Sequence, residues 1–145
     1  MNASLRIRKV VGAGLSVAAL VLAGCAGMSS DHKVNVVLRG SDEVPAVATS
    51  ASGSGTITIA ADKSVSGSVT TMGLSAVAAH IHQGARGQNG PVSVGLVKTG
   101  DNVWSVPAGA KLNDAQYDAF KAGGLYVNVH TAANKGGEIR GQLNP

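Results

Sequence analysis

Leu125 to Leu143 reads LYVNVHTAANKGGEIRGQL, and its alternation decides the fold. Leu125, Val127 and Val129 alternate with Tyr126, Asn128 and His130, while Ile139, Gly141 and Leu143 alternate with Glu138, Arg140 and Gln142. A period of two gives each run one apolar and one polar face, which is the pattern of two strands. Ala132 to Gly136 supplies the Asn and Gly residues that accept the positive φ of a hairpin loop. The implied register sets Val129 opposite Ile139 and His130 opposite Glu138. The polar face of the hairpin should then carry His130, Glu138, Asn128 and Arg140 side by side.

Upstream, the same alternation recurs in short segments. Val34 to Arg39, Ser54 to Ala60, Ser64 to Thr71, Ala76 to His82, Val92 to Val97 and Val103 to Val106 read as strands, each with Gly, Asp, Asn or Pro nearby. With the terminal hairpin they make about eight strands, and the expected fold is an all-β, Greek-key-like antiparallel β-sandwich. One short helix interrupts the pattern. Asn113 can cap it, Gln116 stands at the capping-box position, Tyr117 and Phe120 share a face, and Gly123-Gly124 ends it. The helix is expected to cover an open end or edge of the sandwich.

The amino terminus predicts where the domain resides. Arg6, Arg8 and Lys9 precede an uncharged apolar run from Val10 to Leu22, followed by Leu22-Ala23-Gly24-Cys25. This is the pattern of a lipoprotein signal peptide over residues 1–24, too short to span a bilayer comfortably, with Cys25 as the first mature residue and the site of lipidation. Cys25 is the only cysteine, so it has no partner for an internal disulfide or a CxxC redox pair. Residues 25–33 would form a lipidated tether, and residues 34–145 one domain held at a membrane in the cell envelope. In a host with two membranes, Ala26 rather than Asp after Cys25 favours the outer membrane, facing the periplasm.

Cleavage would also change the charge. The full chain has 12 Lys and Arg against 8 Asp and Glu, a net charge of +4 and a pI near 9.5. Three of the cations lie in the signal peptide, which leaves nine against eight. The only aromatics, Trp104, Tyr117, Phe120 and Tyr126, are not interleaved with Lys or Arg, so no nucleic-acid partner is expected.

Three ordered blocks resemble the CHRD domain, named after chordin and common in bacterial envelope proteins. They are Gly40-Ser41-Asp42-Glu43-Val44-Pro45-Ala46-Val47 with Ala51-Ser52-Gly53, then His80-Ile81-His82 with the loop Gly84 to Pro91, then Leu125 to Leu143 with its preceding helix. The resemblance spans about residues 34 to 143 and departs from the family where Pro45-Ala46 replaces a frequent pair of prolines. It implies a sandwich architecture and an envelope location, without a single agreed activity.

Candidate chemistry gathers on the polar faces. On a strand, His80 and His82 point the same way, and a His-x-His pair offers two imidazole nitrogens to copper or zinc. If the strand of His130 is adjacent, three imidazoles converge outside the sandwich, with Glu138 as a ligand or as the acceptor that orients a ring. The same histidines equally fit a structural task, pinning the Gly-rich loop to the hairpin through hydrogen bonds. The arrangement is similar to strand-borne copper ligands in copper-zinc superoxide dismutase, but that enzyme has more ligands and a disulfide, whereas here only His32 remains as a fourth histidine.

Two weaker candidates complete the set. Arg86, within a loop containing Gly84, Gly87 and Gly90, could receive an anion, although the spacing is not that of a P-loop. Glu43 is a ligand candidate beside Asp42, in a segment that also reads as a solvated turn. No catalytic residue is assigned, because no serine shows a nucleophile elbow. Three functions follow. The first is a non-enzymatic, membrane-anchored module capturing copper or zinc through surface histidines; the second is a metal-independent scaffold meeting an envelope protein or polymer; the third is a superoxide dismutase-like enzyme.

Overall fold

The computed structural model describes residues 31–145; residues 1–24 and Cys25, with the expected signal peptide and lipidation site, lie outside them. The described residues form β1 (His32–Arg39), β2 (Ser52–Ile59), β3 (Val65–Met72), β4 (Ala76–Gln83), β5 (Val92–Gly95), β6 (Val97–Gly100), β7 (Val103–Ser105), α1 (Asp114–Lys121), β8 (Leu125–Thr131) and β9 (Ile139–Leu143). Alternation explains each wall. In β1 the side chains of Val34, Val36 and Leu38 are buried, while Lys33, Asn35 and Val37 between them are exposed. The same inward face carries Ile57 and Ile59 of β2, Val65 and Val69 of β3, Ala79 and Ile81 of β4, and Leu125, Val127 and Val129 of β8. Each large aliphatic side chain sealed in this way stabilises the fold by roughly 1.5–3 kcal/mol before entropy is counted.

All nine strands belong to one antiparallel sheet in the order β5-β4-β8-β9-β1-β2-β3-β7-β6. The two edge strands, β5 and β6, are consecutive in the chain and separated only by Leu96. Leu96 is buried, and its amide donates to the Ala79 carbonyl in β4. The sheet therefore curls until its edges nearly meet, and its opposed walls enclose one core. This explains why Val92 to Val97, expected as one strand, is two: the chain crosses from one edge to the other at Leu96.

The hairpin and the helix form as their sequences predict. Val129 pairs with Ile139 and Leu125 with Leu143. At α1, the Gln116 amide donates to Asn113 Oδ1 at 2.8 Å and the Asn113 amide to Gln116 Oε1 at 2.9 Å, a reciprocal capping box. Gly123, at φ +72°, ends the helix, and Phe120 enters the core. The His32 ring meets Phe120 edge-on, with centroids 5.4 Å apart. Strand β1 thus starts at His32, two residues before the boundary expected at Val34.

Candidate metal centre

The site lies on the side of β4, β8 and β9 that faces away from the core. Pairing sets His80 opposite Asn128, His82 opposite Tyr126 and Ala78 opposite His130. On the other side of β8, Asn128 faces Arg140 and Tyr126 faces Gln142. Two cross-strand rows result, His80-Asn128-Arg140 and His82-Tyr126-Gln142, with His130 one step beyond.

This polar face is covered. Tyr126, Asn128 and Arg140 are almost completely inaccessible, and Gln142 is buried. Over Tyr126, Arg140 and Gln142 the cover is the glycine-rich loop 84–91, held down by the side chains beneath it, and over Asn128 it is Glu43 with the turn at Gly136 and Gly137. Arg140 Nη2 donates to the carbonyls of Gln88 at 2.8 Å and Ala85 at 3.2 Å, while Nη1 donates to Asn89 Oδ1 at 3.3 Å. Gln142 Nε2 donates to the carbonyls of Gly84 and Gly123 at 2.9 and 2.8 Å. The guanidinium also lies 3.4 Å from the centroid of the Tyr126 ring, on which the His82 ring stacks at 5.0 Å with a 7° interplanar angle.

The three expected histidines do come together. Among the described residues, His80, His82 and His130 form a cluster whose candidate ligand nitrogens all lie within 4.8 Å of one another. All three are partly buried: the loop shelters the His82 ring at Gly90, while His80 and His130 keep part of their surface open to solvent.

Hydrogen bonds fix the proton positions. His82 Nδ1 is 2.9 Å from the Gly90 carbonyl and His130 Nδ1 is 2.9 Å from the Lys135 carbonyl. A carbonyl can only accept, so both Nδ1 atoms carry hydrogen, and in the neutral form of each ring Nε2 is the nitrogen that keeps the lone pair. His80 Nδ1, 2.9 Å from His130 Nε2, must then be the donor in that contact. His82 Nε2 is buried without a partner. Burial, followed by the neighbouring imidazoles His130 and His82, lowers the pKa of His80. Burial also lowers that of His82, against the opposing effect of its bond to Gly90. Neutral rings with directed lone pairs are the form that binds transition metals, and backbone acceptors on the remote nitrogens are the usual support of such ligands.

The other candidates stand elsewhere. Glu138 is not in the cluster. Its carboxylate accepts from Thr131 Oγ1 at 2.7 Å, Thr49 Oγ1 at 2.9 Å and Asn134 Nδ2 at 3.1 Å, and the Lys135 carbonyl, not Glu138, orients His130. The reason is local: Glu138 precedes β9, so the turn claims it before the ladder can set it opposite His130. Those same bonds hold its pKa below the ordinary value. Glu43 is outside the cluster too, yet it is no solvated turn residue. It is buried, accepts from Asn128 Nδ2 at 2.7 Å, and burial pushes its carboxyl up to about 7 despite the lowering influence of Arg140. Arg86 is exposed on the loop, where the amides of Gly84, Gln88 and Gly90 are already bound to Gly124 O, Ala85 O and Tyr126 Oη. Those amides make no cradle for an anion. The fourth histidine, His32, packs on Phe120 in α1, away from the cluster.

A family model described as the CHRD domain matches residues 34–143. The chain belongs to the CHRD domain family. The CHRD match runs from the third residue of β1 to the end of β9, and includes the three histidines, Glu43, Asn128 and Arg140. Neither curated proteins nor solved structures gave a match to this CHRD chain. Arg140, Tyr126 and Gln142, which the sequence places on the polar face without a role, emerge as the residues that hold the loop over the imidazoles. Their signal was present in the alternation, but the loop that covers them was not.

Proposed function

We propose that this chain is a membrane-anchored CHRD-domain lipoprotein of the cell envelope, held through an acylated Cys25, whose domain captures a copper or zinc ion with His80, His82 and His130. The observation that carries the proposal is the pair of backbone carbonyls, Gly90 O and Lys135 O, that hold two Nε2 lone pairs within a cluster of three imidazoles. In a tetrahedral zinc site with bonds of about 2.0–2.1 Å, ligand nitrogens stand roughly 3.4 Å apart, so a spread of 4.8 Å closes with modest ring rotations. For His80 Nδ1 to ligate, its proton would move to Nε2, which keeps the ring neutral and releases the contact with His130. His80 and His82 need lose no charge near neutral pH, since burial holds both rings neutral.

Isothermal titration of the metal-stripped protein with Cu(II) and Zn(II) tests this, alongside a His80→Ala/His82→Ala/His130→Ala variant checked for folding. The expected result is one ion bound with sub-micromolar affinity, and its loss in the folded variant. Equal weak binding by both proteins would overturn metal capture. It would favour the second reading, a metal-independent domain that meets an envelope protein or polymer, for which the exposed Val92 and Val97 on the two edge strands provide apolar contact points. An acylated Cys25 is tested separately, by mass spectrometry of the membrane-extracted protein.

A further inference from the structure

The polar face holds a second unpaired atom besides His82 Nε2. Asn128 is only 2% exposed, and its Oδ1 has no hydrogen-bond partner. The amide is not free to turn over. Nδ2 donates to Glu43 Oε1 at 2.7 Å and to the Gly136 carbonyl at 3.4 Å, and a carbonyl accepts only, so nitrogen must occupy that side. Gly137 closes around the same nitrogen: at φ +130°, a Cβ there would stand 2.0 Å from Nδ2. The oxygen is therefore committed away from Glu43. Asn128 lies directly opposite His80 on the neighbouring strand and two residues from His130 on its own, with all three on the covered face. An acceptor has been buried and left unanswered beside the imidazoles, which is costly unless something else supplies the proton.

Resting on the metal reading above, we propose that the ion held by the three histidines keeps one coordination position for an exchangeable water, and that Asn128 Oδ1 accepts a hydrogen bond from that water. Three imidazole nitrogens are the whole set of clustered His, Cys, Asp and Glu donors among the described residues, while zinc and copper(II) take at least a fourth ligand. His80 and His130 are part-exposed, so a small ligand reaches the cluster from solvent. An acceptor at this place selects a ligand that bears a proton. Water, or an incoming N–H or O–H donor, is favoured over a halide or azide, which leaves Oδ1 unpaired. The position is then the point at which another ligand enters when the ion is passed on.

Cobalt(II) reports this directly, because its visible bands follow the ligand set. The cobalt-loaded full chain is titrated with azide, next to Asn128→Ala and Asn128→Asp. Azide is expected to shift the bands saturably in the unaltered protein. Asn128→Ala should bind azide about tenfold more tightly, since the displaced water has lost its acceptor; azide is titrated into protein of measured cobalt content, so that any change in cobalt affinity is read separately. Asn128→Asp, whose acceptor is anionic, should bind azide about tenfold more weakly and reports independently if the alanine variant does not fold. Cobalt bands indifferent to azide would show a closed site and overturn the inference while leaving metal capture intact. Unchanged azide affinity in a folded variant would remove Asn128 from the role. Failure of the unaltered protein to take up cobalt, copper or zinc would instead defeat the metal reading itself.

Discussion

The two faces of the β4-β8-β9 wall are both buried, and by opposite means. Inward, Ile81, Val127, Val129 and Ile139 are sealed by apolar contact with the opposed wall of the sheet. Outward, Arg140 and Gln142 donate to carbonyls of a loop that covers them and Tyr126, while Asn128 is sealed by Glu43, Gly136 and Gly137. Apolar packing is tolerant of shape, because its energy follows area and volume. A hydrogen-bonded cover is tolerant of neither shape nor chemistry, because each lost donor leaves a named acceptor unpaired. The inward face makes the fold stable, and the outward face fixes where three imidazoles and one amide oxygen stand.

Substitutions of similar size on the two faces should separate these roles. The largest effect is expected at Arg140→Met, which keeps much of the stem but removes the donors to Ala85, Gln88 and Asn89. We expect a loss of about 3 kcal/mol in urea unfolding, with amide hydrogen exchange accelerated first in the loop 84–91. Gln142→Met strands two carbonyls, those of Gly84 and Gly123, and should cost about 2 kcal/mol with the same local signature. Ile139→Leu, on the inward face, should cost under about 1.5 kcal/mol and leave loop exchange unchanged. Equal losses and equal loop exchange in all three would dissolve the distinction between the faces.

The subtlest effect concerns pH. The Glu43 carboxyl sits at about 7 in the folded protein against an ordinary 4.5, so the folded state holds its proton through that window. Its contribution to stability is complete below the lower value and declines as pH rises toward and past the upper one. Glu43→Gln keeps an acceptor for Asn128 but no charge. The variant should match the unaltered protein in mild acid and become relatively more stable in mild alkali. Urea midpoints measured across the window, taken as the difference between the two proteins, isolate this group from the histidines. A flat difference curve would show that Glu43 is not held protonated.

Much of this architecture is legible in the sequence, where the information is local. The alternation of Leu125 to Val129 and of Ile139 to Leu143 sets the hairpin register, and the Asn113 to Gln116 spacing sets the helix cap, because partners three to eighteen residues apart constrain each other directly. Alternation likewise places His80 and His82 on one face. It does not say what covers that face. The carbonyls that bind Arg140 lie 52 and 55 residues upstream, so a buried arginine reads as a solvated one. The Leu96 crossover is hidden for a related reason: a continuous alternating run looks the same whether it stays in one edge strand or steps between two. Glu138 fails as a histidine partner because hydroxyls at Thr49 and Thr131 compete for its carboxylate, and period-two patterning carries no record of that competition.

The direction of β1 also gives the molecule a top and a bottom. The chain enters at His32, beside Phe120, and climbs to Arg39, level with Arg140 and Asn128. That ascent is about 23 Å at roughly 3.3 Å per residue. His32 and α1 thus stand at the foot of the domain, with His80 and His130 on the upper storey. A ligand of the cluster therefore arrives at the end of the domain opposite the one where the described chain begins.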